Sequence, residues 1–133
     1  MDTRELTTHI YRDFAGQKRK LELRLGEVAE LERLAQAGIG EIMLRIASHR
    51  FQLADVRETI RLALEGGGMS EPEATALTKR YIDGMPLVIH LEMAGDIIGA
   101  FINGVTAGER PKKDEAESAT TASPFPPFTA SAP

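Results

Sequence analysis

The sequence predicts an α+β domain, with an N-terminal β-hairpin followed by a compact bundle of about five α-helices. Two patterns of apolar residues predict this class. Near the start of the chain apolar and polar residues alternate, which is the two-residue period of a strand with one buried face. From Gly26 onward apolar residues recur every three or four positions, which is the period of an amphipathic helix. No Leu, Ile, Val or Met occurs after Thr106, so we expect the domain to span residues 1–106 of the 133.

The alternating residues define two strands between about residues 6 and 25. The apolar members are Leu6, Ile10 and Phe14 in the first strand and Leu21, Leu23 and Leu25 in the second. Ala15 and Gly16 lie between the strands and suit a tight turn, because glycine tolerates positive φ. A lone hairpin is only marginally stable in water, so its apolar face must meet helices or another chain.

Five helical segments follow, separated by glycine or proline. The apolar stripes of the first three are Val28, Leu31, Leu34 and Ala35, then Ile39, Ile42, Met43 and Ile46, then Leu53, Val56, Ile60, Ala63 and Leu64. The fourth helix is predicted to start at Ser70, because Ser-Glu-Pro-Glu combines a capping box with a first-turn proline. The fifth is predicted to run from Pro86 to about Val105.

The fifth segment is apolar enough to suggest a membrane span, but Glu92 and Asp96 lie in its middle without an obvious cationic partner. These acids share one polar face with Gly99 and Asn103, so we expect an amphipathic helix with a wide apolar side in the core. Gly95 and Gly99 also leave open a seam for self-association, because small residues four apart allow close helix approach.

The composition argues against catalysis and against general nucleic-acid binding. Without cysteine the chain forms no disulfide, thiolate metal site or cysteine nucleophile. The formal net charge of −4 opposes phosphate binding. The three histidines fall on different predicted elements, and the glycines at 66–68 lack the Lys-Ser or Lys-Thr of a phosphate loop, which favours a flexible joint between helices. We expect no catalytic, cofactor-binding or metal-binding residue.

The third and fourth predicted helices, joined by a glycine-bearing turn, also allow a small helix-turn-helix-like DNA-binding regulator. A recognition helix places its first residues at base edges, and here those residues are Glu71, Pro72 and Glu73. The pattern therefore favours other functions.

Residues 107–133 are predicted to form a disordered tail. They contain five of the seven prolines and no Leu, Ile, Val or Met, so they cannot bury enough apolar surface to offset the entropy of ordering. Phe125 and Phe128 are their only large apolar residues and stand in a proline-stiffened stretch. This stretch suits docking into a groove of a partner, and an unselected low-complexity end explains it equally well.

Two longer motifs resemble a known family. They are LGEVAELE at residues 25–32 and FQLADVRETIRLALEGGG at residues 51–68. The positions that continue them are Ser70, Glu73, Ala74, Tyr81, Pro86 and Leu87. Over about residues 8–103 the chain resembles the gene transfer agent tail proteins, which are similar to the tail assembly chaperones of long-tailed bacteriophages.

The resemblance implies a non-enzymatic tail assembly chaperone. Such a protein holds the aggregation-prone tape measure protein soluble while tail tube subunits polymerise around it, in the cytoplasm of the producing bacterial cell. The implied partners are the tape measure protein and tail tube subunits, with a homo-oligomer as a further option and with neither nucleic acid nor a membrane. The alternative is a structural tail protein of the tube or a minor tail component, because some members of the family carry a tail tube label.

The predicted elements suggest where a partner would bind. A hairpin offers an unpaired strand edge, and the fifth helix offers a wide apolar face. The expected protein-binding residues are Leu21, Leu23, Ile97, Phe101, Phe125 and Phe128.

Overall fold

The computed structural model describes residues 5–106 of the chain. The predicted disorder of residues 107–133 therefore lies outside the described residues, and the predicted domain limits stay a prediction. One compact unit spans Thr7–Gly104. The other unit includes, among the described residues, 5–6 and 105–106.

The observed elements confirm the α+β class, with a hairpin followed by five helices. Their order is β1 (Leu6–Thr7), β2 (His9–Phe14), β3 (Gln17–Glu22), α1 (Leu25–Ala35), α2 (Ile39–Ala47), α3 (Leu53–Gly66), α4 (Glu71–Tyr81), a 3₁₀ turn (Leu87–His90), α5 (Leu91–Asn103) and β4 (Val105–Thr106). Strand β1 pairs with β4, and β2 pairs with β3.

The hairpin turn forms at Ala15 and Gly16, as predicted. Phe14 pairs with Gln17 in an antiparallel register, which leaves two residues in the loop. Their φ angles of 55° and 88° are both positive, as in a type I′ turn that matches the twist of paired strands. Arg19 donates hydrogen bonds from its guanidinium to the carbonyl oxygens of Phe14 and Ala15, at 3.1 and 3.3 Å. The middle residue of the basic run Lys-Arg-Lys therefore holds the turn closed.

Two strand and helix limits differ from the prediction. Leu25 is 78% exposed and is the first residue of α1, because the chain leaves the hairpin at Leu23 and no longer alternates. The fifth helix begins at Leu91 rather than at Pro86, because Leu87–His90 forms the tighter 3₁₀ turn. It ends at Asn103, and Gly104 follows with a φ of 82°.

Helix α3 is the centre of the compact unit and packs against β3, α1, α4 and α5. Its predicted apolar stripe is buried from Val56 to Leu64, whereas Leu53 in the first turn is 60% exposed, contrary to the prediction. The start of α4 is as predicted, since the Ser70 hydroxyl accepts a hydrogen bond from the backbone N–H of Glu73 at 3.3 Å.

The glycines at the end of α3 lie directly against the hairpin. A Cβ atom added at Gly66 would overlap the backbone carbonyl of Glu22, and one added at Gly67 would overlap that of Lys20. Only glycine lets the helix backbone approach the strand this closely. The glycine run, predicted to be a flexible joint, is therefore a tight packing contact between α3 and β3.

A buried ion pair joins α2 to α3. Asp55 is fully buried and accepts hydrogen bonds from the Arg45 guanidinium at 3.1 Å and from the backbone N–H of Gln52 at 2.7 Å. Arg45 also donates to the carbonyl oxygen of Ala35 at 3.4 Å and lies 3.8 Å from Glu41, one turn before it on α2. The arginine thus connects the end of α1 with α2 and α3.

Candidate protein-binding surface

The predicted protein-binding residues fall into three groups. Leu21, Leu23 and Ile97 are at most 1% exposed, and their side chains belong to the core formed by the hairpin and helices. Phe101 is half-buried on α5. Phe125 and Phe128 lie outside the described residues. A binding role for these six residues stays a prediction, and the exposed apolar surface of the described chain lies elsewhere.

The two glycines of α5 are half-buried and lie beside α2. A Cβ atom at Gly95 would lie 3.6 Å from the Ile46 side chain, and one at Gly99 would lie 3.4 Å from that of Met43. Both neighbours belong to α2. The small residues therefore allow α5 to approach α2, and the seam for self-association stays a prediction.

Three large apolar side chains stand exposed in the connection between α4 and α5. Met85, Val88 and Ile89 are 50%, 59% and 57% exposed, and we call them the 85–89 ridge. Full burial of a valine or isoleucine side chain contributes about 1.5–3 kcal/mol. Exposed large apolar side chains that lie close together in the chain are candidates for contact with another protein.

The ridge is fixed at both ends. Ile82, just before it, is 1% exposed, and Leu91, just after it, is 7% exposed. Asp83 forms a two-pronged ion pair with Arg57 on α3, with distances of 2.7 and 2.9 Å. The hydrogen bonds from Arg57 hold the pKa of the Asp83 carboxyl below its usual value of 3.8. The ridge is therefore presented by a well-anchored connection.

One open groove, of about 480 Å³, lies on the Ile89 side of the ridge and extends to the hairpin turn. Aromatic rings line it, with the centroid of Phe14 5.9 Å from that of Tyr81 and 6.0 Å from that of His90. The Nε2–H of His90 donates to the carbonyl oxygen of Tyr81 at 3.1 Å. The histidine thus connects the end of α4 to the start of α5.

A second open groove, of about 500 Å³, lies on the Val88 side, between α2 and α5. Its lining includes Met43, Ala47, His49, Leu91 and Gly95. Val88 and Ile89 are adjacent in the 3₁₀ turn and border different grooves. The ridge therefore separates two concave surfaces, of which the second is the more apolar.

The charges around the grooves are mostly acidic. Glu92 and Asp96 border both grooves, and Asp13 borders the first. Arg12 on β2 lies 3.3 Å from Asp96, so the hairpin supplies the cationic partner that the sequence pattern of α5 did not reveal. Glu92 is exposed and forms no ion pair within residues 5–106.

Two further observations bear on function. Among residues 5–106, no three His, Cys, Asp or Glu side chains are grouped so that they could hold a metal ion. In the same part of the chain, no helix is both long enough and apolar enough to cross a bilayer.

Sequence reasoning missed the ridge because it placed Val88 and Ile89 on the apolar face of the fifth helix. One signal could have found it. Leu87, Val88 and Ile89 are consecutive, and three consecutive residues of a helix cannot all face one side. Together with Pro86 before them, they indicate an irregular segment with at least one apolar side chain directed outward.

Comparison with known protein families gives one finding of direct use. Residues 7–104 match the family described as phage tail tube protein, GTA-gp10. This range coincides with the compact unit Thr7–Gly104. A comparison with curated proteins gives no match, and a comparison with solved structures gives none either. Because the match covers well over half of the chain, and agrees with the gene transfer agent resemblance of the sequence motifs, the chain belongs to the phage tail tube protein family GTA-gp10.

Proposed function

We propose that this chain is a structural subunit of the tail of a phage-like particle, and that it works by binding neighbouring tail proteins. The observation that carries the proposal is the family match, which covers the whole compact unit and names a tail tube protein. A structural subunit needs surfaces that fit its neighbours, and the 85–89 ridge with its two grooves is such a surface.

A binding role also agrees with the ion pairs that two acidic side chains form inside the domain. The buried carboxylate of Asp55 is occupied by Arg45 and a backbone N–H, and Asp83 is occupied by Arg57. These acids hold helices together. The proposed role is therefore non-enzymatic. The proposed place of assembly is the cytoplasm of the producing bacterial cell.

The composition of finished particles tests this proposal. Particles purified by density gradient would be digested and the peptides of this chain counted by mass spectrometry against those of the major tail protein. A structural subunit should be present in a fixed whole-number ratio to the other tail proteins. Its absence from tailed particles, together with abundance in the producing cells, would contradict a structural role.

A second candidate is a tail assembly chaperone that binds the tape measure protein and leaves before the particle is complete. The observation that favours it is the openness of both grooves beside an exposed apolar ridge, which suits reversible capture of an extended or helical segment. Coexpression with the tape measure protein tests it. A chaperone should raise the soluble fraction of that protein, and an unchanged soluble fraction would count against this candidate.

A further inference from the structure

We infer that the 85–89 ridge and its two grooves bind an amphipathic helix of another protein, one whose apolar stripe is flanked by lysine or arginine. The inference rests on the proposed function, because it names the kind of neighbour that a tail subunit of this shape binds.

The shape fits a helix better than an extended strand. The ridge projects two adjacent apolar side chains, Val88 and Ile89, and each borders its own groove. A helix presents apolar side chains at i, i+3, i+4 and i+7, which form a ridged surface with grooves between the rows. The rows of the partner helix can enter the two grooves of this chain. The 85–89 ridge then enters the groove between those rows on the partner helix.

The charge selects a basic helix. Glu92 borders both grooves, is exposed and forms no ion pair within the described residues. Around the first groove Asp13 lies 3.9 Å from Lys18 and Asp96 lies 3.3 Å from Arg12, whereas Glu92 has no such cation beside it in the described residues. A lysine or arginine beside the apolar stripe of the partner would complement Glu92, whereas a glutamate there would be repelled.

The rigidity of the ridge makes it suitable for a defined partner. The Arg57–Asp83 ion pair and the buried side chains of Ile82 and Leu91 hold it on both sides. Little ordering of this segment is needed on binding, so less of the apolar contact energy is offset by lost entropy.

Two synthetic peptides test the inference on the full chain. Both have about 18 residues, enough for a stable helix when bound, and share one leucine stripe. One carries lysine beside the stripe and the other carries glutamate. We expect fluorescence anisotropy at physiological salt to show saturable one-to-one binding of the lysine peptide, about tenfold or more tighter than that of the glutamate peptide.

Substitutions on the ridge separate apolar contact from general charge attraction. Val88→Asp and Ile89→Asp each add a carboxylate, which by itself would attract the lysine peptide more strongly. We expect each to weaken that peptide about tenfold or more, because the apolar contact is lost. Leu53→Asp is the matched control, since Leu53 is 60% exposed, lies outside both grooves and gives the same change in charge. It should leave binding unchanged.

Three results would overturn the inference. The first is equal affinity for the two peptides, and the second is equal binding by Val88→Asp, Ile89→Asp and Leu53→Asp. The third is concentration-dependent self-association of the chain that Val88→Asp abolishes, which would make a second copy the occupant. Circular dichroism and thermal unfolding confirm that each variant is folded. The test of particle composition does not depend on these peptides. If the binding results overturn the inference, particle composition still decides the proposed structural role.

Discussion

Residues 66–68, at the end of α3, and residues 85–89, before α5, each show the opposite burial to the one that their composition suggests. Residues 66–68 are three glycines, which is typical of a flexible surface joint, yet Gly66 is buried against the hairpin. Residues 85–89 are rich in large apolar side chains, which is typical of a core, yet the side chains of the ridge are exposed to solvent. The first connection is defined by how closely its backbone approaches β3. The second is defined by the side chains that it leaves exposed.

The polarity of a connecting segment does not by itself determine whether the segment is buried or exposed. Glycine has no side chain to bury, so it can occur in the most crowded contact of a domain. A ridge of apolar side chains that contributes little to folding is instead available for another protein. The first connection should therefore tolerate little change in side-chain volume, and the second should tolerate changes without loss of stability.

The largest effect is expected at the glycine contact. Gly66→Ala should lower the free energy of unfolding by about 3 kcal/mol or more, because the new Cβ overlaps the backbone carbonyl of Glu22 and the helix must move. Urea denaturation measures the change. Gly40→Ala on α2 is the control, since no atom lies within 4 Å of its added Cβ, and it should raise stability by about 0.5–1 kcal/mol. Equal stability of Gly66→Ala and the wild type would contradict the tight contact.

The next effect concerns the buried ion pair between α2 and α3. Arg45→Met should lower the free energy of unfolding by about 2–3 kcal/mol, because it leaves the fully buried Asp55 without its cation. Thermal unfolding by circular dichroism measures the loss. The control is Arg33→Met on the exposed pair with Glu30, which should leave the melting temperature close to that of the wild type. Similar losses of stability for both variants would contradict the claim that the buried pair contributes more than the exposed one.

A smaller effect is expected at the anchor of the ridge. Because Arg57 lowers the pKa of Asp83 in the folded state, the ionised pair adds stability above the usual aspartate pKa of 3.8, and this contribution is lost as the pH falls through the lower folded value. Asp83 is partly exposed, so the contribution should be at most about 0.5 kcal/mol. Asp83→Asn should thus be slightly less stable than the wild type at pH 7. A difference that persists undiminished at pH 2 would rule out the ion pair as its source.

The smallest effect on stability is expected at the ridge itself. Val88→Asp should change the free energy of unfolding by less than about 0.5 kcal/mol, because Val88 is 59% exposed. Leu21→Ala, at a fully buried position of the hairpin, should cost about 2–5 kcal/mol in the same urea titration. A large loss for Val88→Asp would show that the ridge belongs to the core after all.

Sequence periodicity was sufficient for the regular elements. The hairpin with its turn at Ala15 and Gly16, the helix start at Ser70 and the core stripe from Val56 to Leu64 all follow from local patterns of two or of three to four residues. These features depend on near neighbours in the chain, which is why a single sequence reveals them.

The features that the sequence did not reveal depend on contacts between distant residues. Arg12 and Asp96 are 84 positions apart, and the glycine contact joins α3 to β3, so neither has a local pattern. The exposure of Val88 and Ile89 depends on where α5 begins, and periodicity locates helix ends poorly. The candidate surface could therefore be identified only from the structure, whereas the resemblance to the tail protein family was already apparent from the helix motifs.

The most direct test of the account examines particle production with the ridge altered. Producing cells would carry Val88→Asp or Leu53→Asp in place of the wild-type chain, and tailed particles would be counted by electron microscopy at equal levels of the protein. The account predicts a fall of about tenfold or more for Val88→Asp and a normal count for Leu53→Asp, because only Val88 belongs to the binding surface. Normal tails with Val88→Asp would contradict the claim that this chain acts in the tail through the 85–89 ridge.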